Sequence, residues 1–179
     1  NPETRALVVD LCPQANLSEL FLGGLEGNGS ENLLQIQGQT PRATIGGYFQ
    51  NRLPQSYVAG NISAYQYISH PSNFNELIPP NVDLVAGDPL LELQTNAMST
   101  LANAQVPGTD TWAGVVSWLK DFLATVTDDY DYVFIDLNPS FSMYTQIGLA
   151  ASNRIVLPVM ADDSSRRAIQ NAFSLLYGL

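Results

Sequence analysis

Two apolar runs in this chain each close on an aspartate: Leu7-Val8-Val9-Asp10 and Val133-Phe134-Ile135-Asp136. Runs rich in Val, Ile and Leu, without polar alternation, read as strands buried on both faces of a parallel sheet. Ligands of such sheets bind beyond the carboxyl ends of the strands. Two carboxylates brought to that place suit a hydrated Mg2+, which takes oxygen ligands and keeps several waters. A lone aspartate of this kind has a simpler reading, as the cap of the next helix or turn.

Other reactive side chains are few. Cys12 is the single cysteine, two residues past Asp10. A free cysteine at a strand end packs as a small hydrophobe more often than it acts as a nucleophile. His70 is the single histidine and lies in the polar stretch Ser69-His70-Pro71-Ser72. One histidine and one cysteine do not make a zinc site. Ser140 and Ser142 have no G-x-S-x-G elbow around them, so no hydrolase triad is expected. Asn16, Asn28 and Asn61 each open an N-x-S triplet. No apolar leader precedes them, so the matches are read as chance.

The elements that must position the aspartates follow from the pattern. Besides the two strands above, which span Ala6 to Val9 and Tyr132 to Ile135 before their aspartates, Val82 to Ala86 and Ile155 to Val159 read as buried strands. Helical spacing marks Asp110 to Thr127, with Trp112, Val115, Val116, Leu119, Phe122 and Leu123 on one face and Asp110 as N-cap. Trp112 fits that apolar face better than Trp118. Further helices are predicted from Leu90 to Asn103, Tyr144 to Ala151 and Arg166 to Leu176, and a weaker one from Pro41 to Phe49. Asp162-Asp163-Ser164-Ser165 reads as the start of the last helix, with Arg166 and Arg167 offering a second reading as part of a dimer or partner surface. The polar stretches Gly23 to Gln39 and Pro54 to Pro80 read as surface excursions. Strands alternating with helices imply an α/β fold, a mostly parallel, doubly wound sheet with helices on both faces. The whole of 1–179 reads as a single domain.

Composition narrows the classes. Hydrophobic residues make up 45% of the 179-residue chain and charged residues 13%, which argues for a packed body and against disorder. The formal charge is −10 with seven cationic residues, so these residues carry no basic stripe to neutralise nucleic-acid phosphates. DNA binding by this segment is therefore not expected. No run approaches the ~20 apolar residues of a transmembrane helix.

The motifs around the aspartates sharpen the reading. Tyr132 to Asp136 has the form of a Walker B element, an apolar strand whose aspartate reaches Mg2+ through water. Val9-Asp10-Leu11-Cys12-Pro13-Gln14-Ala15-Asn16 resembles the D-x-D-P-Q-x-N element of the ParA/MinD family of deviant Walker P-loop ATPases. Tyr130 to Ser140 resembles that family's Y-D-Y-[hydrophobic]-D-x-P-P-S element. Val82 to Asp88 is similar to its middle strand, and Ala150 to Val159 to its A-A-D-x-[hydrophobic]-P-V strand. The four occur in the family's order and cover about half the chain. The resemblance implies an enzyme that binds ATP with Mg2+, forms a nucleotide-dependent homodimer, works with a ParB-like or other adaptor, and positions plasmids, chromosomes or other cargo in the cytoplasm. It implies Asp136 as the Mg2+-binding aspartate, Asp10 beside the γ-phosphate and metal, and Gln14, Asn138, Pro139 and Ser140 in the two loops that sense the γ-phosphate.

Two departures qualify it. The family's K-G-G-x-G-K-[ST]-[ST] loop is not in this sequence; Lys120 is the only lysine and no glycine loop precedes it. That loop would precede Asn1, so the chain is expected to be a piece of a longer protein, unable by itself to bind ATP. Loss of the P-loop strand would also expose apolar strand edges, which invites aggregation. Cys12 stands where the family has its second aspartate, the one linked to the attacking water. A thiol there is a poor base at neutral pH and predicts slow or absent hydrolysis. Two alternatives remain open at this point. One is a non-catalytic ParA-like binding or regulatory module. The other is a flavodoxin-like receiver, which leaves Asp-Leu-Cys-Pro-Gln unexplained and has no lysine after the last strand.

Overall fold

In a computed structural model, which describes residues 3–58, 62–138, 140–158 and 163–177, the chain opens with strand β1 (Ala6–Asp10). Helices α1 (Asn16–Phe21), α2 (Gly29–Gln37) and α3 (Ile45–Arg52) follow. Then come β2 (Ile68–Ser69), β3 (Val82–Val85) and helices α4 (Leu90–Ala102), α5 (Thr111–Val116) and α6 (Trp118–Ala124). Strand β4 (Tyr132–Asp136) leads to α7 (Met143–Ala151) and α8 (Asp163–Tyr177). The sheet order is β2-β3-β1-β4. β1 pairs parallel with β3 and with β4, and only the two-residue β2 runs antiparallel.

The pleat explains the layering. Alternate residues of a strand point to opposite faces. Leu7 and Val9 face one side, where they join Ile45, Phe49, Leu91, Met98, Trp118 and Ile147 from α3, α4, α6 and α7. Val8 and Leu84 face the other side and pack with Leu22, Leu33 and Ile36 beside α1 and α2. Both faces are thus covered by helices, as the uninterrupted apolar runs required. Each of these fully buried side chains contributes roughly 2 kcal/mol of transfer free energy.

Several sequence expectations need correction. The expected single helix over 110–127 is two helices, α5 and α6, divided at Ser117. The break changes the phase, so Trp118 is wholly buried, its indole N–H donating to Ser56 O (2.8 Å), while Trp112 is 45% exposed. Asp110 does cap α5, accepting from Ala113 N at 3.0 Å. The weak helix forms four residues later than expected, because the Thr44 hydroxyl caps it by accepting from Gly47 N (3.1 Å). The two polar stretches are more than excursions: 23–39 contains α2, and Ala64 and Tyr67 are fully buried. The amides and hydroxyls that made them look like surface are spent locally, as where Gln37 Nε2 donates to Gly87 O.

Among the described residues the expected last strand is not formed. Residues 155–158 pair with nothing among the described residues, and Val159 lies outside them. A strand needs a hydrogen-bonding neighbour, and the β4 edge away from β1 faces an open cleft of about 1160 Å3 lined by Tyr132, Phe134, Asp136, Ile155 and Leu157. Among the described residues β4 pairs on one edge only, and Tyr132 and Phe134 stand 60% and 59% exposed.

At the amino end of the sheet, the buried carboxylate of Asp83 gathers three donors. Arg5 Nη2 lies at 3.5 Å, Tyr130 Oη at 2.7 Å and His70 Nδ1 at 2.5 Å. These come from the residues before β1, before β4 and after β2, so one side chain ties all four strands together.

Candidate functional site

The β1–β4 register places Asp10 directly opposite Asp136. Both strands end there, and Leu11 N continues the ladder to Asp136 O (3.0 Å). The next residue, Cys12, then leaves the sheet with its sulfur turned to the same point. Ligand-type atoms of Asp10, Cys12 and Asp136 all lie within 4.8 Å of one another. The sequence thus brought together the two carboxylates and the thiol it singled out.

The two aspartates have different surroundings. Asp136 is exposed, and its Oδ2 accepts a weak hydrogen bond from Cys12 Sγ at 3.6 Å. Asp10 is wholly buried. Its Oδ1 accepts from Cys12 N (3.0 Å), and its Oδ2 from Ser18 N (3.0 Å) and Ser18 Oγ (2.7 Å). Burial raises the Asp10 pKa above the ordinary carboxylate value, against the lowering effect of these three donors. Asp10 therefore orients the loop 11–18 more than it offers free lone pairs, whereas Asp136 has room for a hydrated cation.

Burial, with Asp136 and Asp10 nearby, pushes the Cys12 thiol up to about 12. A thiol so shifted keeps its proton at neutral pH and donates it to Asp136. Ala15 turns the chain in the left-handed region (φ 53°), with its N–H on Cys12 O (3.0 Å), and this turn starts α1. Gln14 is exposed at that turn and, among the described residues, its side chain makes no hydrogen bond.

The second loop follows β4. Asn138 O accepts from Ser140 N (2.7 Å) and from Thr145 Oγ1 (3.1 Å). Ser140 Oγ lies 2.9 Å from Ser142 Oγ and 3.0 Å from Thr145 Oγ1, a hydroxyl cluster at the start of α7. Ser142 caps that helix. Pro139 lies outside the described residues.

One residue escaped the sequence reading. Ser18 Oγ donates to Asp10 and accepts from Gly87 N (2.8 Å), joining the ends of β1 and β3. A side chain on Gly87 would lie 2.9 Å from the Asp10 carboxyl carbon, so the glycine is required there. Next to it, buried Asp88 accepts from Arg42 Nη2 (2.9 Å), from the Thr44 hydroxyl and from Leu90 N (2.9 Å). The only signal for Ser18 was a hydroxyl on the first turn after an aspartate-ended strand.

A parallel sheet wound on both faces, with carboxylates at the ends of adjacent strands, fits the P-loop NTPase-like class of fold. Residues 1–176 match the family model described as AAA domain, and the chain belongs to this ParA-type P-loop family. An uncharacterized protein of Pseudomonas putida is 33% identical over 88 residues, 49% of this chain and 26% of that protein. The chromosome-partitioning ATPase Soj of Treponema pallidum is 42% identical over 45 residues, 25% of this chain and 18% of Soj. Among solved structures, a plasmid partition protein from Borrelia burgdorferi superposes with a TM-score of 0.61 at 17% identity, over 98% of this chain and 62% of that one. A Corynebacterium diphtheriae protein does so with a TM-score of 0.66 at 19% identity, over 98% and 60%. These last two share the fold. The chain thus spans about three fifths of those structures and matches about a quarter or less of the length of these curated relatives.

Proposed function

We propose that this chain supplies the metal- and γ-phosphate-facing part of the nucleotide site in a ParA-like partitioning ATPase. The observation that carries the reading is the pairing of Asp10 with Asp136 at the carboxyl ends of β1 and β4. Asp136 would hold Mg2+ through water, and its exposed carboxylate fits that task. Asp10, fixed by Ser18 and Cys12, would shape the first sensing loop and set Gln14 at its tip. Asn138 and Ser140 would form the second loop, with Pro139 between them. Mg2+ supplies charge neutralisation between β- and γ-phosphates. The family's P-loop lysine and backbone cradle are not found in this sequence, so the 179-residue chain alone should not bind ATP. Bound nucleotide would drive homodimer formation, and a ParB-like or other adaptor would act on the dimer.

The test is Mg2+-dependent ATP binding and hydrolysis by the protein expressed from its complete coding sequence, with Asp136→Ala as the comparison. Binding abolished by Asp136→Ala supports the nucleotide site. A folded complete protein that binds no nucleotide sinks it and favours the second reading, a non-catalytic module. That reading has one observation behind it: Cys12, its sulfur 3.6 Å from Asp136 Oδ2, at the position where the family has a carboxylate.

A further inference from the structure

We propose that the surface at the amino end of the sheet, formed by residues 20–28 and 74–77, docks a basic amphipathic helix of a partner protein. Leu20, Leu25, Phe74 and Leu77 stand exposed there, Leu25 completely and Leu77 to 88%. Asn75 ties the two segments together: its Nδ2 donates to Leu20 O (3.3 Å), and its Oδ1 accepts from Leu77 N (3.0 Å).

The loop that carries Leu25 is held in place. Gly24 N donates to Glu19 O (2.8 Å), Gly27 N to Gly23 O (2.9 Å) and Gly29 N to Gly24 O (2.8 Å). Asn32 Nδ2 clamps Leu22 O (2.8 Å) and Gly27 O (3.0 Å) from α2. Gly23 turns at φ 130°, and a Cβ on it would meet Gly27 O at 2.3 Å. A turn fixed by this many bonds presents a leucine to water at a defined position. Gathered apolar side chains rimmed by polar groups mark an interaction surface.

Charge selects the occupant. Glu19, Glu26, Glu31 and Glu76 lie in or beside these segments, and no lysine or arginine occurs between Arg5 and Arg42 or between Arg52 and Lys120. An acidic rim admits a cationic partner and repels an acidic one. A helix with leucines on one face and lysine or arginine flanking them meets both demands. Leu20 is tied to Asn75, on the segment leading into the amino end of β3, so the surface lies toward the end of the sheet opposite Asp10 and Asp136 and stands independently of the nucleotide reading.

The probe is a synthetic leucine-lysine helix of about 18 residues, long enough to hold its fold. Its control replaces leucine by serine at the same charge. Fluorescence anisotropy at about 0.15 M salt measures binding to the 179-residue chain. Saturable binding is expected, weakened about tenfold or more by Leu25→Ser/Leu77→Ser and left unchanged by Leu93→Ser, an exposed leucine on α4. Circular dichroism confirms that both variants fold. The proposal is overturned if the control peptide binds equally, if the double variant binds like its parent, or if no saturation appears. It is also overturned if the double variant instead abolishes self-association or binding to anionic vesicles, which would give the surface to a second copy or a lipid.

Discussion

Cys12 Sγ and Asp136 Oδ2 lie 3.6 Å apart, with the thiol as donor, where two paired strands end together. This contact ties the unusual residue of the site to its most exposed carboxylate, and it sets the first two predictions.

Cys12→Asp places a third carboxylate within the group that already holds Asp10 and Asp136. Without a cation, like charges repel, and the variant should lose about 1–2 kcal/mol of stability. Mg2+ at millimolar concentration should restore it, seen as a rise in Tm that the parent chain does not show. In the complete protein the same change should raise ATP turnover, and an unchanged rate would count against the assigned role of the lost carboxylate.

The thiol itself should be inert. Its pKa of about 12, against an ordinary value of 9.0, leaves very little thiolate at pH 8. Alkylation by iodoacetamide should run roughly a hundredfold or more below that of a free cysteine, and its rate should keep climbing with pH beyond 9. A rate that levels off near pH 9 would show a solvated thiol.

Ser18→Ala removes the hydroxyl between Asp10 and Gly87, leaving a buried carboxylate one donor short and Gly87 N without its acceptor. Loss of such a pair costs about 2–3 kcal/mol, measurable as a lower denaturation midpoint. The pH dependence has a definite sign. The folded pKa of Asp10 lies above 3.8, so the folded state holds its proton longer than the unfolded one. Asp10's contribution is fully present below the unfolded value and is lost as pH rises through the folded value. Removing a donor raises the folded pKa further, so the loss in Ser18→Ala should extend to higher pH than in the parent. A parallel pair of stability curves would refute this.

The β4 edge, which has no strand partner among the described residues, should make the 179-residue chain prone to association. An apolar edge with free backbone groups templates further strands. Tyr132→Lys/Phe134→Lys should reduce light scattering on incubation at 37 °C while leaving far-ultraviolet circular dichroism unchanged. A parent chain that is monodisperse and melts in one sharp transition would show that the edge is harmless.

Much of this architecture could be read in the sequence because its signals are local. Apolar runs without alternation gave β1, β3 and β4, and the aspartates closing two of them stand opposite each other at the carboxyl ends of β1 and β4. What escaped depends on distant partners. Ile155 to Leu157 has strand composition, but a strand exists only beside another, and β4 lies across a cleft from it. Trp118 looked misplaced because the pattern assumed one unbroken helix, whereas the turn at Ser117 rotates it into the core. Ser18 sits eight residues from Asp10, and no spacing rule announces a hydroxyl that bridges two strand ends.

Asp83 gives the sheet a mechanical asymmetry. By binding groups from the approaches to three other strands, it rivets their registers at one end, while the opposite end is closed by loops. Strain arriving at those loops meets resistance to strand slippage, because sliding any strand would pull a partner from the buried Asp83 carboxylate. Motion at the carboxylate end would therefore be dissipated within the loops 11–15 and 137–142 or passed to α1 and α7. The sheet acts as a fixed frame, with one anchored margin and one compliant margin.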